Sequence, residues 1–152
     1  MTEPYWTQAL TALLTPTILV FGSIIAYRQW RIAQNKLKLD LFEKRFQVYD
    51  VARGFLSSIM TSGKVNDEDL NKFLPGTREA KWLLNNDIAT YFFEQIWTNA
   101  VKLQTLDTLL KDIRVVDERK KNVQQQGEIK KLLMAQFEVL DEKFGPFLKL
   151  GH

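Results

Sequence analysis

An uncharged segment near the N terminus constrains this chain more than any other feature. Residues 9–27 read ALTALLTPTILVFGSIIAY, 19 positions without a charged side chain. As a helix rising about 1.5 Å per residue, the segment is roughly 28 Å long, close to the hydrocarbon thickness of about 30 Å of a bilayer. A chain of 152 residues is too short to surround a helix that is apolar on every side. The sequence therefore predicts a transmembrane helix at 9–27.

Aromatic residues flank both ends of this segment, where amphipathic rings prefer the headgroup layer. The predicted interfacial aromatics are Tyr5, Trp6, Tyr27 and Trp30. Positive charge follows the apolar run instead of preceding it, and no small-residue cleavage site comes next, which disfavours the alternative of a signal peptide. A buried core helix is the other alternative. The small residues Gly22, Ser23 and Ala26 predict helix association, because small side chains let two membrane helices approach closely.

The net positive charge of the chain lies in the stretch that directly follows the apolar segment. Residues 28–45 contain six basic and two acidic side chains, whereas residues 46–152 contain 15 of each. This concentration disfavours nucleic acid, which calls for a basic face spread over a domain. It predicts contact with a lipid bilayer that has anionic headgroups. The predicted membrane-surface residues are Arg28, Arg31, Lys36 and Lys38.

The same charges predict the orientation of the protein in the membrane. Under the positive-inside rule, basic residues near the end of a span stay in the cytoplasm. Residues 1–8 are therefore expected to form a short external N terminus, and the chain after the span to lie in the cytoplasm.

Apolar residues recur at steps of three and four through the rest of the chain, which is typical of helices. Residues 28–62 are predicted to continue the membrane helix into a bundle formed by residues 63–152. Within that bundle we expect a short broken helix at 66–84, long helices at about 87–114 and 117–144, and a tail at 145–152 that packs back. The predicted fold is all-α: one N-terminal transmembrane helix that continues into a cytoplasmic antiparallel helical bundle.

Local signals predict where these helices break and which faces they bury. Pro75 with Gly76 is expected to break the short helix, and Val123 is expected to share the buried face of the last helix. Arg53 and Asn99 interrupt otherwise apolar faces. Each predicts a polar contact that fixes the register of the bundle, the alternative being that each lies at an edge and reaches water.

No catalytic or metal-binding set is recognisable in the sequence. Cysteine is absent and the single histidine is His152, the last residue, so thiolate ligands and the usual general base near neutral pH are missing. The acidic groups at 67–69 and 117–118 begin predicted helices, where carboxylates complement the helix dipole. The sequence predicts no enzyme, no catalytic residue, no metal and no cofactor, with an enzyme that uses carboxylates alone as the alternative.

Three stretches carry a resemblance to other proteins: YRQWRIAQNKLKLDLFEKRFQVYD from Tyr27 onward, GTREAKWLL at 76–84, and KFGPFLKL near the C terminus. With its QWR and KLxLDLFxKRFxVY pattern and its Pro-aromatic-Leu tail, the chain resembles a widespread family of small single-pass bacterial membrane proteins. The resemblance implies a location in the bacterial inner membrane. It implies no reaction.

These features together predict a non-enzymatic single-pass inner-membrane protein. Its cytoplasmic bundle is expected to bind a protein partner or to form a homo-oligomer. The alternative is an oligomeric pore or membrane-damaging effector, in which Thr11, Thr15 and Ser23 line an interior.

Overall fold

The computed structural model describes residues 5–149, and the side chains of residues 18–149. Its elements are α1 (Tyr5–Ser62), α2 (Asp67–Thr77), α3 (Ala80–Leu83), α4 (Asn86–Tyr91), a π-helix (Phe92–Trp97), α5 (Thr98–Leu110) and α6 (Val116–Phe144). No residue between 5 and 149 lies in a β-strand. The prediction of an all-α helical bundle is therefore confirmed.

The chain divides into two compact units, Met1–Asp40 and Leu41–His152, called unit 1 and unit 2. In unit 1, every described side chain from residue 18 to residue 40 is exposed. The large apolar ones among them are Ile18, Leu19, Val20, Phe21, Ile24, Ile25, Tyr27, Trp30, Ile32, Leu37 and Leu39.

Within the part of the chain that the structure describes, no helix is long and apolar enough to cross a membrane. The predicted span at 9–27 falls partly outside the described residues, because the side chains of residues 9–17 are not described. Tyr5, Trp6, Thr11 and Thr15 also lie outside the described side chains.

Neighbouring helices of unit 2 run antiparallel, since residue numbers rise on one helix as they fall on the next. The contacts that show this are Ser58–Asp69 and Phe55–Phe73 between α1 and α2, Asp67–Gln104 and Phe73–Trp97 between α2 and the chain segment from α4 to α5, Leu106–Asn122 and Tyr91–Gln136 between that segment and α6, and Arg53–Asp141 and Tyr49–Phe144 between α6 and α1. Unit 2 is therefore an up-down-up-down bundle, in which the short α2 is one of the four helices.

Five aromatic side chains connect the four helices through the middle of unit 2. The Phe73 ring lies 4.6 Å from Phe55 and 5.8 Å from Phe92, measured between ring centroids. Phe144 continues the series, 5.9 Å from Phe92 and 5.4 Å from Tyr49. Because aromatic rings bury a large apolar area, this cluster is the centre of the core. Around it pack Leu56, Ile59, Ile96, Leu103, Leu133 and Leu140, all fully buried.

The ends of two helices follow from local sequence. Gly63 has a φ of 70°, a left-handed conformation suited to glycine, and its N–H donates to the Ile59 carbonyl at 2.8 Å. After α6, Phe147 and Leu148 pack against the core. Arg45 holds this tail by donating to the Phe147 carbonyl at 3.5 Å. The apolar tail thus packs back on the bundle, as predicted.

The predicted break at Pro75 and Gly76 is wrong, because α2 continues to Thr77. A β-carbon built on Gly76 would lie 2.8 Å from Cγ1 of Val51, so glycine lets α2 approach α1 closely. The Thr77 hydroxyl donates to the Phe73 carbonyl at 2.7 Å, bonding within the last turn. Packing against α1 therefore extends a helix that its local sequence would end.

The predicted burial of Val123 is also wrong, since its side chain is 53% exposed. The buried positions at this end of α6 are Asn122 and Gln126. They continue the steps of three and four that run through Ile129 and Leu133, but they are polar. A prediction based on apolar residues alone therefore placed Val123 in the core, where Asn122 and Gln126 lie instead.

We expect Gly76→Ala and Gly127→Ala to change the free energy of unfolding in opposite directions. The new methyl group at position 76 overlaps Val51, which should destabilise unit 2 by about 1–3 kcal/mol. At position 127, inside α6, a β-carbon meets nothing within 4 Å, so alanine should stabilise the helix by about 0.5–1 kcal/mol. Urea unfolding of both full-length variants in a non-ionic detergent measures the difference. Unchanged or increased stability of the Gly76→Ala variant would contradict the close packing of Gly76 on Val51.

Candidate interaction surface

An open groove of about 490 Å³ lies on unit 2 beside α2, α3 and the π-helix. Phe73 and Phe92 form its buried floor. Leu74 and Phe93, 47% and 62% exposed, form its sides. Its lining also includes Trp97, Arg78 and Lys81. We call this site the aromatic groove; its volume is within the range of about 300–1,000 Å³ typical of binding pockets.

The π-helix carries three of the aromatic side chains that line the groove, Phe92, Phe93 and Trp97. This segment spans Phe92–Trp97, and within it Phe92 is buried whereas Phe93 is exposed. The Thr98 hydroxyl donates to the Phe93 carbonyl, five residues earlier, at 2.8 Å. At the end of the segment the Trp97 ring stacks on Phe73, 6.4 Å away and tilted by 8°. Single π-turns inside α-helices occur frequently at functional sites.

The charged residues that line the aromatic groove are both basic, Arg78 and Lys81, and no carboxylate belongs to its lining. Beside them, Trp82 is 82% exposed. The Lys81 ammonium lies 5.5 Å from the Trp82 ring centroid, within cation–π range. The groove is therefore complementary to a ligand that combines apolar groups with negative charge.

A second groove of about 510 Å³ runs between α5 and α6, and Asn99 lies in its lining. Lys102 and Glu128 both line it, so it has no single sign of charge. Asn99 is half-buried, and its amide donates to the carbonyl of Gln95, four residues earlier in the adjoining π-helix, at 2.6 Å. This hydrogen bond does not connect Asn99 to another helix of the bundle, as the sequence predicted.

Two polar residues that the sequence reasoning missed connect α5 to α6. The buried Asn122 amide donates to the Leu106 carbonyl at 3.0 Å. Gln126 is buried beside it and donates to Asn122 Oδ1 at 2.8 Å. Because a buried amide without a partner is costly, these bonds favour one alignment of α5 on α6. Gln126 and Asn122 lie three and seven residues before Ile129, on the same face of α6. This spacing is the sequence feature that could have predicted their burial.

Arg53, the other predicted register residue, joins α1 to α6 at the surface. Its Nη1 donates to Asp141 Oδ1 at 2.9 Å and to the Tyr49 hydroxyl at 2.8 Å. The Tyr49 hydroxyl in turn donates to Asp141 Oδ1 at 2.6 Å. Hydrogen bonds from Tyr49 and Arg53 hold the pKa of Asp141 below its usual value, while partial burial raises the pKa of Tyr49. Arg53 and Asp141 are both about half exposed, so solvent screens this ion pair and it contributes little to stability.

The predicted membrane residues lie on α1 in unit 1. Arg28, Arg31, Lys36 and Lys38 are exposed there, and the Tyr27 and Trp30 rings are 6.1 Å apart. A β-carbon built on Gly22 meets nothing within 4 Å, and the Ser23 hydroxyl donates to the Leu19 carbonyl of its own helix at 2.8 Å. Ala26 is exposed beside them. Their roles at a membrane and in helix association stay predictions.

The acidic residues at the start of α2 make structural contacts. Asp69 accepts a hydrogen bond from Ser58 of α1 at 2.6 Å, and Asp67 accepts one from Gln104 of α5 at 2.6 Å. In the part of the chain that the structure describes, no group of three or more His, Asp or Glu side chains could hold a metal ion.

Comparison of the chain with protein families, with curated proteins and with solved structures finds no match.

Proposed function

We propose that this chain is a non-enzymatic, single-pass protein of the bacterial inner membrane, whose cytoplasmic bundle binds a protein partner through the aromatic groove. The observation that carries the proposal is the combination of exposed apolar side chains, Leu74 and Phe93, with Arg78 and Lys81 in a groove whose lining has no carboxylate. Large apolar groups exposed together typically mark an interaction site.

The chemistry of the groove describes the partner that would fit it. An amphipathic helix buries its apolar face in such a groove and carries its charges along the edge. Carboxylates at that edge would pair with Arg78 and Lys81, whereas basic residues would be repelled. The proposed partner is therefore a protein segment that is apolar on one face and acidic beside it.

The membrane part of the proposal is supported by the exposed apolar side chains of unit 1. From residue 18 to residue 27 the chain has no charge, and all of its side chains are exposed. Leaving one large apolar side chain in water instead of burying it costs about 1.5–3 kcal/mol. The Ser23 hydroxyl, which bonds within its own helix, suits a hydrocarbon environment, where polar groups need internal partners.

A photo-crosslinking experiment in intact bacterial cells tests the proposed groove. We expect a photoreactive phenylalanine analogue at position 93 to form specific protein adducts. The same analogue at Leu109, which is 50% exposed on α5 and not part of the groove lining, should form few. Reversing the charge of the groove with Arg78→Glu and Lys81→Glu should remove most of the adducts at position 93, because it repels an acidic partner.

Both substituted side chains are exposed, so the charge reversal should leave the bundle folded; its circular dichroism spectrum checks this. Adducts at position 93 that persist in the charge-reversed variant would contradict the proposed partner chemistry. Equal labelling at positions 93 and 109 would contradict the groove.

A further inference from the structure

The groove of about 510 Å³ between α5 and α6 is a second surface of unit 2, separate from the aromatic groove. Leu106 and Ile129 are half-buried in its lining, and Leu132 is 53% exposed beside them. The charged residues that line it are Lys102 from α5 and Glu128 from α6, both exposed. We call it the α5–α6 groove. It combines apolar side chains with one charge of each sign, each on a different helix.

The two charges lie at nearly the same height along the bundle. The hydrogen bond from Asn122 to the Leu106 carbonyl marks two positions of α6 and α5 that are level. Lys102 lies four residues before Leu106, and Glu128 lies six residues after Asn122. Because α5 and α6 are antiparallel, both steps go in the same direction. At 1.5 Å per residue, the heights of Lys102 and Glu128 differ by about 3 Å.

We infer that the α5–α6 groove is the interface of a two-fold dimer of this chain, in which Lys102 of each copy pairs with Glu128 of the other. The inference goes beyond the proposed function, because it concerns a surface that the proposed partner of the aromatic groove does not use.

Charge decides between the two ways in which a second copy can face this groove. With the two-fold axis parallel to the helices, α5 of one copy lies on α6 of the other, so Lys102 faces Glu128 at two symmetric places. With the axis across the helices, α5 lies on α5, so lysine faces lysine and glutamate faces glutamate, which is unfavourable. The groove is therefore self-complementary about the parallel axis.

The parallel axis also agrees with the packing and with the proposed location. It makes α5 of one copy antiparallel to α6 of the other, so the four helices form an antiparallel four-helix arrangement. Leu106 and Ile129 of both copies then face its centre. Both copies have Leu41, the first residue of unit 2, at the same end, which suits two chains inserted in one membrane.

A second copy suits this groove better than an unrelated partner does. A partner must present an acidic group opposite Lys102 and a basic group opposite Glu128, at nearly the same height. The α5–α6 groove itself has this pattern. The neutral residues follow the same rule, because Thr105 and Gln125 also line the groove and also differ by about 3 Å in height.

Cysteine crosslinking tests the interface without background, because the chain contains no cysteine. Two full-length copies with different affinity tags are expressed together in bacterial membranes, one with Thr105→Cys and the other with Gln125→Cys. A short bismaleimide crosslinker should join them into a dimer that carries both tags. The matched control pair is Gln47→Cys with Asn71→Cys, at exposed positions of α1 and α2.

We expect the groove pair to give at least about tenfold more adduct than the control pair, because a packed interface holds the two thiols at an effective millimolar concentration. Equal adduct from the two pairs would overturn the dimer. The proposals for the aromatic groove and for the membrane would still stand, since neither uses this surface.

Exchange of the two charges tests the pairing itself. Lys102→Glu in both copies places two carboxylates together at each symmetric place and should lower the adduct at least about tenfold, and Glu128→Lys in both copies should do the same with two ammonium groups. Lys102→Glu in one copy with Glu128→Lys in the other makes both contacts complementary again and should restore the adduct.

The mixed pair separates an interface from a role inside one copy. Each copy of the mixed pair has the same substitution as in the corresponding single-variant experiment, so a defect within the fold would remain. Adduct that is not restored in the mixed pair, or that is unaffected by either substitution alone, would overturn the inferred pairing. Both side chains are exposed, so the variants should stay folded, and circular dichroism checks this.

Discussion

Replacing Ile18 and Phe21 by arginine should move the full-length protein from the membrane pellet into the soluble fraction. Ile18 is the central residue of the predicted span at 9–27, and Phe21 lies one turn later. An arginine near the centre of a membrane helix costs about 2.5–3.5 kcal/mol. Two of them should lower partitioning into the bilayer by roughly ten-thousand-fold, at about 1.4 kcal/mol per factor of ten. Centrifugation after alkaline extraction measures the change.

The matched control places two arginines on α6, as Val116→Arg with Val123→Arg. These side chains are 65% and 53% exposed, so the control adds the same charge without entering the predicted span. It should remain in the pellet. A double arginine variant at 18 and 21 that still resists extraction would contradict the proposed span, and release of both variants would point to a peripheral, charge-dependent attachment.

Phe144→Ala should cause the largest loss of stability of any single substitution considered for unit 2. The Phe144 side chain is fully buried and contacts the rings of Tyr49 and Phe92, so it joins α6 to α1 and to the π-helix. Truncating a buried phenylalanine to alanine costs about 3–5 kcal/mol, since it removes apolar contacts and leaves a cavity. That is a large share of the total of about 5–15 kcal/mol that stabilises a typical domain.

Urea unfolding followed by tryptophan fluorescence measures this loss, because Trp97 stacks on Phe73 within the same core. The matched control is Phe93→Ala, the same substitution at a side chain that is 62% exposed. It should change the free energy of unfolding by no more than about 0.5 kcal/mol. Similar losses in the two variants would show that the aromatic cluster is not the centre of the core.

Much of the fold was predictable because helices depend on local pattern. The steps of three and four through Ile88, Phe92, Ile96, Asn99 and Leu103 predict one helix face, and the four apolar residues among them are buried. The candidate site was much less predictable. Arg78 lies in a stretch that carries the family resemblance, but no motif indicates that it shares a groove with Phe93.

Polar residues in the core show the same limit. Asn122 and Gln126 are suited to a solvent-facing helix surface when only the sequence is considered. The packing of α5 on α6 buries them, and it brings the Leu106 carbonyl within 3.0 Å of the Asn122 amide, which donates to it. Asn99, whose position on an apolar stripe predicted a contact between helices, donates instead to the Gln95 carbonyl four residues earlier in the chain.

The sequence by itself determined the all-α class, the cap at Gly63 and the return of the apolar tail, since each depends on residues within a turn or two of one another or on the apolar content of a short segment. Only the tertiary structure decided that α2 continues through Pro75, that a π-turn forms at Phe92–Trp97, and that an aromatic groove forms beside Arg78. These features depend on contacts between residues far apart in the chain, such as Gly76 with Val51 and Phe73 with Trp97. Such contacts arise from packing, which a local pattern does not contain.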